Sequence, residues 1–181
     1  LLTSDPIPPT TRLPFSKEEI KKVWEHQKEP WVDTVLILLY SGWRISELLN
    51  LKPEDINLQA GTMKGGTKTK AGKDRVVPIH SKIRPLVEGR LAEGGPRLIS
   101  YNGRVCNQTQ YRIFWADIMK ALGMNHTPHE CRHTFETQLD SAGANRKCID
   151  LLMGHVSKDT GNRVYNHKTL DELKATVELI K

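Results

Sequence analysis

Residues 31–40 (WVDTVLILLY) are apolar around almost the whole circumference of a helix, and this constrains the fold more than any other stretch. A helix without a polar face has to be covered on all sides, so we expect it at the centre of a folded core. The longest apolar run, from Val35 to Leu39, is far shorter than the roughly 20 residues that cross a bilayer, so no membrane contact is expected. At 181 residues the chain is long enough to form one such core.

The other patterns predict a mostly α protein with a small antiparallel three-stranded β-sheet. A helix with a capping box starts at Ser16 and runs through Trp24, and another runs from Arg44 to Leu51. Strands are expected at 55–58, 62–69 and 75–79, where residues alternate or are β-branched. Further helices are expected at 81–92, 107–122, 128–142, 145–153, 160–165 and 169–181.

Composition divides the chain into a short leader and one globular unit. Residues 1–14 are proline-rich and unpatterned, which is typical of an interdomain linker and predicts a further domain upstream. Residues 15–181 form the globular unit, whose last helix, at 169–181, is amphipathic. The apolar face of this tail helix is expected to pack on its own domain or on a neighbouring protomer.

The charge of the chain favours a polyanionic partner. The net charge is +6 and the pI about 9.3, which fits DNA or RNA, although many basic proteins bind neither. Basic residues concentrate between Lys64 and Arg90, where the alternative is a solvated loop face. The side chains expected to contact phosphates, which position a nucleic acid without reading its sequence, are Lys64, Lys68, Lys73 and Arg75.

The three cysteines, Cys106, Cys131 and Cys148, are odd in number and lack the spacing of a metal site. Reduced thiols are therefore expected, together with a cytoplasmic location.

Two basic residues stand where an anion is the natural partner. Arg44 lies between two apolar helical segments, and an arginine placed there needs an anion, although a surface arginine at a helix start is the simpler interpretation. Lys70 lies near the tip of the predicted hairpin. It is either a solvated lysine or a mobile ammonium that protonates a leaving alkoxide.

His129 and Arg132 give the strongest local signal. Thr127-Pro128-His129-Glu130 predicts a capped helix start, which places His129 in the first turn, where an anion is favoured. Arg132 follows three residues later on the same face. The pair is suited to binding a phosphate, and a capped helix with a surface pair is the alternative.

His129, Glu130 and His133 also satisfy the H-E-x-x-H pattern of zinc metalloproteases. Glu130 is already accounted for as a helix cap, and His129 is too close to the helix start to be framed by preceding turns. This pattern would leave Arg44 and the basic hairpin without a role, so we treat zinc chemistry as a remote alternative.

His155 and Tyr165 complete the candidates. His155 follows Gly154, a suitable residue for the end of the preceding helix, and a lone histidine there usually has a structural role. Tyr165 follows ten residues later, and such a tyrosine is usually half-buried. Beside several cations its phenolate would be stabilised and nucleophilic.

The segments GWRISELLNL, KAGKDRVVPI, HECRHTFETQL, LLMGH and VYNH, in this order, resemble the catalytic domain of tyrosine recombinases, the phage integrase family, and in particular integrases of phages and conjugative transposons. The resemblance covers residues 15–181 and implies the catalytic-domain fold of that family. One position departs from it, because the family usually has a small residue or leucine where Trp43 stands.

The resemblance implies six catalytic residues. Arg44 and Arg132 would clamp the scissile phosphate, with hydrogen bonds from His129 and His155. Lys70, chosen over its neighbouring lysines by its distance to Pro78, would protonate the 5′ oxygen. Tyr165 would form a 3′-phosphotyrosine, and His129 would assist proton transfer. No metal, ATP or other cofactor is expected, because the arginines supply the charge that metal ions supply elsewhere.

The activity implied is site-specific DNA recombination, with integration or transposition of a mobile element. The implied partners are double-stranded DNA attachment sites, three further copies of the chain in a tetramer linked through the tail helix, and DNA-bending accessory proteins. The resemblance also implies DNA-clamping N-terminal domains, which are absent from this chain, and association with the bacterial nucleoid. A type IB topoisomerase and a non-catalytic DNA-binding module remain the alternatives.

Overall fold

The computed structural model describes residues 13–66, 72–155 and 168–181. The described part is mostly α-helical, as predicted. The α-helices are α1 (Lys17–Glu25), α2 (Val32–Ser41), α3 (Ile45–Asn50), α4 (Arg84–Glu93), α5 (Gln108–Leu122), α6 (Pro128–Ser141), α7 (Arg146–Met153) and α8 (Leu170–Val177). Two 3-10 helices, Pro53–Asp55 and Ser81–Ile83, flank the sheet region. The helix predicted at 160–165 lies outside the described residues, as do Lys68, Lys70 and Tyr165 and most of the predicted linker.

The predicted three-stranded antiparallel sheet is confirmed. Its strands are β1 (Ile56–Asn57), β2 (Thr62–Gly65) and β3 (Arg75–Pro78), in the order β1-β2-β3. The β2–β3 register runs from Thr62 opposite Pro78 to Gly65 opposite Arg75. The strands are shorter than predicted, and the chain between β2 and β3 carries Lys70.

A second, two-stranded sheet was not predicted. It consists of β4 (Ser100–Tyr101) and β5 (Arg104–Val105), joined by Asn102 and Gly103 with φ angles of 51° and 70°. Strands of two residues leave no alternating pattern to detect. The Asn-Gly dipeptide, which favours tight hairpin turns with positive φ at both central residues, is the signal that could have revealed it.

The core is built around α2, as its sequence predicts. Nine of its ten residues are buried, and it packs against α1, α4 and α6. Its end lies so close to α6 that a side chain at Gly42 would collide with the ring of Phe135. The three cysteines are buried free thiols.

The C-terminal helix α8 packs on its own domain, against α7 and β3. Its apolar residues Leu173 and Val177 are buried there, and so is Ile180 beyond the helix. Ser81 donates hydrogen bonds of 2.7 Å from its backbone N–H and its hydroxyl to the Glu178 carboxylate. Docking of this helix on a neighbouring protomer stays a prediction.

None of the helices in the described ranges is long and apolar enough to span a bilayer.

Candidate active site

Arg44 is positioned by the junction between α2 and α3. It is the residue immediately before α3, and its side chain is 19% exposed. The Glu47 carboxylate accepts hydrogen bonds from the Arg44 backbone N–H at 3.0 Å and from Nη1 at 3.1 Å. The guanidinium is therefore held at the surface of the core with part of its edge accessible.

Arg132 lies in the second turn of α6 and is buried. Its Nη1 donates to the Gly42 carbonyl at 2.7 Å, and its Nη2 donates to the Met153 carbonyl. Gly42 is two residues before Arg44, and Met153 is two residues before His155. Arg132 thus joins the segments that carry Arg44 and His155.

The guanidinium of Arg132 lies in a positive field. Burial, together with the charges of Arg44 and Arg75, lowers its pKa to about 10, while Glu47 and Glu136 oppose the shift. Arg132 remains protonated near neutral pH, so positive charge accumulates beside one buried carboxylate. A phosphate would relieve this repulsion.

His155 is exposed directly after Gly154, the residue that ends α7. Partial desolvation of its ring lowers its pKa below the usual range, and the charge of Arg132 adds to this lowering while that of Glu136 opposes it. The imidazole is therefore mostly neutral near pH 7, which suits it to donate or accept a hydrogen bond.

His129 is exposed in the first turn of α6, one turn before Arg132. The helix begins at Pro128, as predicted, and the Thr127 backbone N–H donates to the Glu130 carboxylate at 3.3 Å. His129 and Arg132 are therefore both carried by the N-terminal part of α6.

Arg75 does not lie at the surface, where a phosphate contact is expected. Predicted as a phosphate contact, it is 6% exposed and lies within the domain. Its Nη1 and Nη2 donate to both oxygens of Glu47 at 3.0 and 2.7 Å, and its Nε donates to the Leu152 carbonyl at 3.0 Å. A guanidinium engaged on these sides faces protein rather than DNA. By contrast, Lys64 and Lys73 are exposed, as a phosphate contact requires.

Glu47 is not among the predicted site residues, yet its carboxylate accepts hydrogen bonds from both Arg44 and Arg75. Burial alone would raise its pKa, but the hydrogen bond and charge of Arg75, with contributions from Arg44, lower it to about 2. A glutamate three residues after the residue that precedes a helix is typical of a capping box, and Glu47 has this spacing from Arg44 at the start of α3. The alternation of Arg75 with the buried Val77 on β3 was a second signal, because it places Arg75 on the inner face.

The glutamate of the zinc pattern, Glu130, is held by structural contacts. The Glu130 carboxylate lies 2.5 Å from Nδ1 of His126, whose Nε2 is 3.0 Å from the Glu19 carboxylate. Glu130 thus helps to fasten the start of α6 to α1. Among the described residues, no three His, Cys, Asp or Glu side chains are grouped to hold a metal ion.

The sequence of the chain matches that of a known family. The sequence profile of the phage integrase family matches residues 15–172. The chain belongs to the phage integrase family. This match confirms the predicted resemblance to the tyrosine recombinases of the phage integrase family. The solved structures below confirm the predicted mostly α fold.

Curated relatives of this phage integrase family member are recombinases by name. Tyrosine recombinase XerA of Pyrococcus furiosus is 35% identical over 190 aligned positions, which cover 98% of this chain and 65% of XerA. Tyrosine recombinase XerC of Pelobacter propionicus is 36% identical over 148 positions, covering 77% of this chain and 48% of XerC. The chain thus spans two thirds or less of these relatives.

Solved structures share the fold. The crystal structure of XerA recombinase superposes with a TM-score of 0.71 at 26% identity, covering 93% of this chain and 65% of that one. The Tn1549 transposon integrase in complex with transposon right end DNA gives a TM-score of 0.69 at 24% identity, covering 98% and 68%. At that identity the second likeness shows the fold alone.

Proposed function

We propose that this chain is the catalytic part of a site-specific DNA recombinase that cleaves and rejoins strands through a phosphotyrosine. The observation that carries the proposal is the arrangement of Arg44 and Arg132. Arg132 is hydrogen-bonded to the ends of α2 and α7, and Arg44 is fixed by Glu47 at the next turn of chain. Arg44 lies close enough to Arg132, and Arg132 close enough to His155, for their charges to interact, and such a positive site is of the kind that binds a phosphodiester.

In the proposed reaction the Tyr165 hydroxyl oxygen attacks phosphorus in line with the bond to the 5′ oxygen. The new bond joins that phenolic oxygen to phosphorus, the P–O5′ bond breaks, and Lys70 gives its proton to the leaving oxygen. Arg44, Arg132 and His155 stabilise charge on the non-bridging oxygens, and His129 assists proton transfer by taking up the proton that leaves the Tyr165 hydroxyl. The phosphotyrosine conserves the energy of the bond, so a second 5′-hydroxyl reverses the step without ATP.

Strand exchange is favoured over supercoil relaxation by a type IB topoisomerase because the relatives are named recombinases. The proposed substrates are double-stranded attachment sites, in the cytoplasm where bacterial chromosomal DNA lies, with DNA-bending proteins as accessory partners. Lys64, Lys68 and Lys73 are proposed as phosphate contacts.

A tetramer on DNA, linked through the tail helix, is proposed as the working assembly. Leu173 and Val177 now face the chain's own domain, so docking on a neighbour requires α8 to leave this site. Gel-shift measurements with a variant lacking residues 169–181 test this arrangement, since unchanged assembly would remove the tail from it.

The proposed chemistry is tested by trapping the covalent intermediate. The chain is incubated in EDTA with nicked suicide DNA carrying candidate attachment sites, and products are run on a denaturing gel. We expect a DNA-shifted protein band with the unmodified chain and none with Tyr165→Phe. The matched control is Tyr101→Phe, which removes a hydroxyl from an exposed tyrosine on β4 and should leave the band unchanged.

Two results would contradict the proposal. One is a band that persists in Tyr165→Phe, because another nucleophile would then be at work. The other is a band that forms only when a divalent metal ion is supplied, because the arginines would then not suffice.

A further inference from the structure

Arg75 makes directed contacts on several sides although it is one of the most buried charged residues of the domain. Both of its terminal nitrogens bond to Glu47, and its Nε bonds to the carbonyl of Leu152. Its guanidinium carbon lies 4.3 Å from the centroid of the Trp43 ring. Hydrogen bonds along its edge and the Trp43 ring on its face give this planar guanidinium a single orientation, which a lysine ammonium cannot reproduce.

The contacts of Arg75 join three different segments, counting its own strand. Glu47 is in α3 and also bonds to Arg44. Leu152 is next to Met153, whose carbonyl accepts from Arg132, and His155 follows two residues later. Arg75 itself begins β3, at the base of the hairpin segment that carries Lys70. One side chain therefore connects the hairpin base with the segments that carry Arg44 and His155.

The pairing also determines how much of Arg44 is available to a phosphate. Glu47 has two oxygens, and each accepts from Arg75 as well as from Arg44. Without Arg75, Glu47 would have Arg44 as its remaining guanidinium partner among the described residues. A stronger Arg44–Glu47 pair would draw the Arg44 guanidinium toward the carboxylate and compete with a phosphate.

We propose that Arg75 is a positioning residue for strand cleavage, which holds Glu47 so that Arg44 stays directed at the scissile phosphate and fixes the base of the hairpin against the end of α7. This inference rests on the proposed function. Arg75 acts through its neighbours and touches no DNA, so it should affect the rate of cleavage at saturating DNA rather than the affinity for DNA.

The test compares Arg75→Lys with Arg90→Lys. Arg90 is a matched control because it is also buried, also bonds to both oxygens of one carboxylate, that of Asp33, and also lies over a tryptophan, Trp31, at 4.6 Å. It joins α4 to α2, and its ion pairs and ring contact within the described part of the chain are with Asp33, Glu93 and Trp31, which lie outside the Glu47 cluster. Both substitutions keep the charge, and both lose the bidentate pair.

Three quantities are measured for each variant: the rate of covalent adduct formation on nicked suicide DNA at saturation, the affinity for the same DNA, and the melting temperature. We expect Arg75→Lys to slow adduct formation by about 10- to 100-fold, the loss typical of a small displacement in an active site, with affinity within about twofold. Arg90→Lys should form adduct as fast per folded molecule as the unmodified chain, even if its melting temperature falls as much as that of Arg75→Lys.

Each other outcome decides against a specific claim. An unchanged rate in Arg75→Lys, or an equal slowing in Arg90→Lys, overturns the positioning role and leaves the proposed function intact. Weakened binding with a shallower salt dependence and an unchanged rate would make Arg75 a DNA contact instead, and would overturn it too. No adduct from the unmodified chain on any attachment site overturns the proposed function, and the inference falls with it.

Discussion

The domain contains two buried clusters built from the same three kinds of side chain. In one, Arg75 is paired with Glu47 and stacked on Trp43, and in the other, Arg90 is paired with Asp33 and stacked on Trp31. The distances are alike, since the shortest ion-pair contacts are 2.7 and 2.6 Å. What differs is the charge around them.

In the Arg90 cluster, two carboxylates, those of Asp33 and Glu93, pair with one guanidinium. Burial alone would lower the pKa of Arg90, but Asp33 and then Glu93 raise it above its usual value. In the other cluster, Arg44 and Arg75 share Glu47, and Arg132 lies close enough for both to lower its pKa. The same pairing thus stabilises helix packing in one place and, in the other, leaves positive charge that an anion can satisfy.

The strongest test of this contrast is Arg132→Ala. If the surplus charge binds the scissile phosphate, adduct formation should fall by about 10²–10³, as when other preorganised donors are removed. The rate of adduct formation should also fall in Arg132→Lys, a more conservative substitution that keeps the charge. Arg90→Ala is the control, and its rate per folded molecule should be unchanged. Wild-type cleavage by Arg132→Ala would mean that the surplus charge has no catalytic role.

The complementary test removes a carboxylate from the balanced cluster. Asp33→Ala leaves Arg90 buried without its bidentate partner, so the free energy of unfolding should fall by about 3–5 kcal/mol. Glu93→Ala is the matched control, because Glu93 is 58% exposed and its pair with Arg90 should contribute less than about 1 kcal/mol. Urea denaturation measures both. Equal effects would show that the Arg90 cluster does not depend on the buried pair.

The smallest effect is expected from the pH dependence of stability. The pKa of Glu47 in the folded protein, about 2, is below its ordinary value of 4.5, so folding favours the ionised form. Its stabilisation is complete above pH 4.5 and disappears as the pH falls toward 2, a loss of about 3 kcal/mol at most. Urea unfolding at a series of pH values should show this loss in the unmodified chain and not in Glu47→Gln.

A second carboxylate serves as the reference for that series. Glu18→Gln, on the exposed first turn of α1, should follow the pH profile of the unmodified chain. If Glu47→Gln loses stability over the same pH range as Glu18→Gln, Glu47 is not the group responsible.

Features set by local sequence were predictable. The all-apolar stretch places α2 at the centre, and Thr127 and Pro128 locate the start of α6. The roles of Arg44, His129, Arg132 and His155, like those of Lys70 and Tyr165, remain predictions. For the first four, the positions of the helix ends that carry them were readable from caps and breakers.

Pairings between distant segments could not be predicted in this way. Arg75 and Glu47 are 28 residues apart, and although the alternation of β3 indicates the inner face for Arg75, nothing local says which carboxylate it meets there. The cluster of lysines around Arg75 pointed outward, and for Lys64 and Lys73 the structure agrees. Arg75 differs because buried and less buried side chains alternate at the start of β3, and because the Glu47 carboxylate of α3 lies on the inner face of that strand.

The two glycines at the junction of the hairpin and α7 have a genetic consequence. Gly154 has a φ of +66°, and a methyl group there would lie 2.7 Å from the Cα of Gly72, so the two backbones touch directly. Any side chain at Gly154 would have to push the main chain apart, which would displace the neighbouring His155 and the hairpin base together. A random screen for inactive variants should therefore recover Gly154 as readily as the charged residues. Because Gly72 has no side chain to shorten, a suppressor would have to be an insertion or deletion that reroutes the opposing loop.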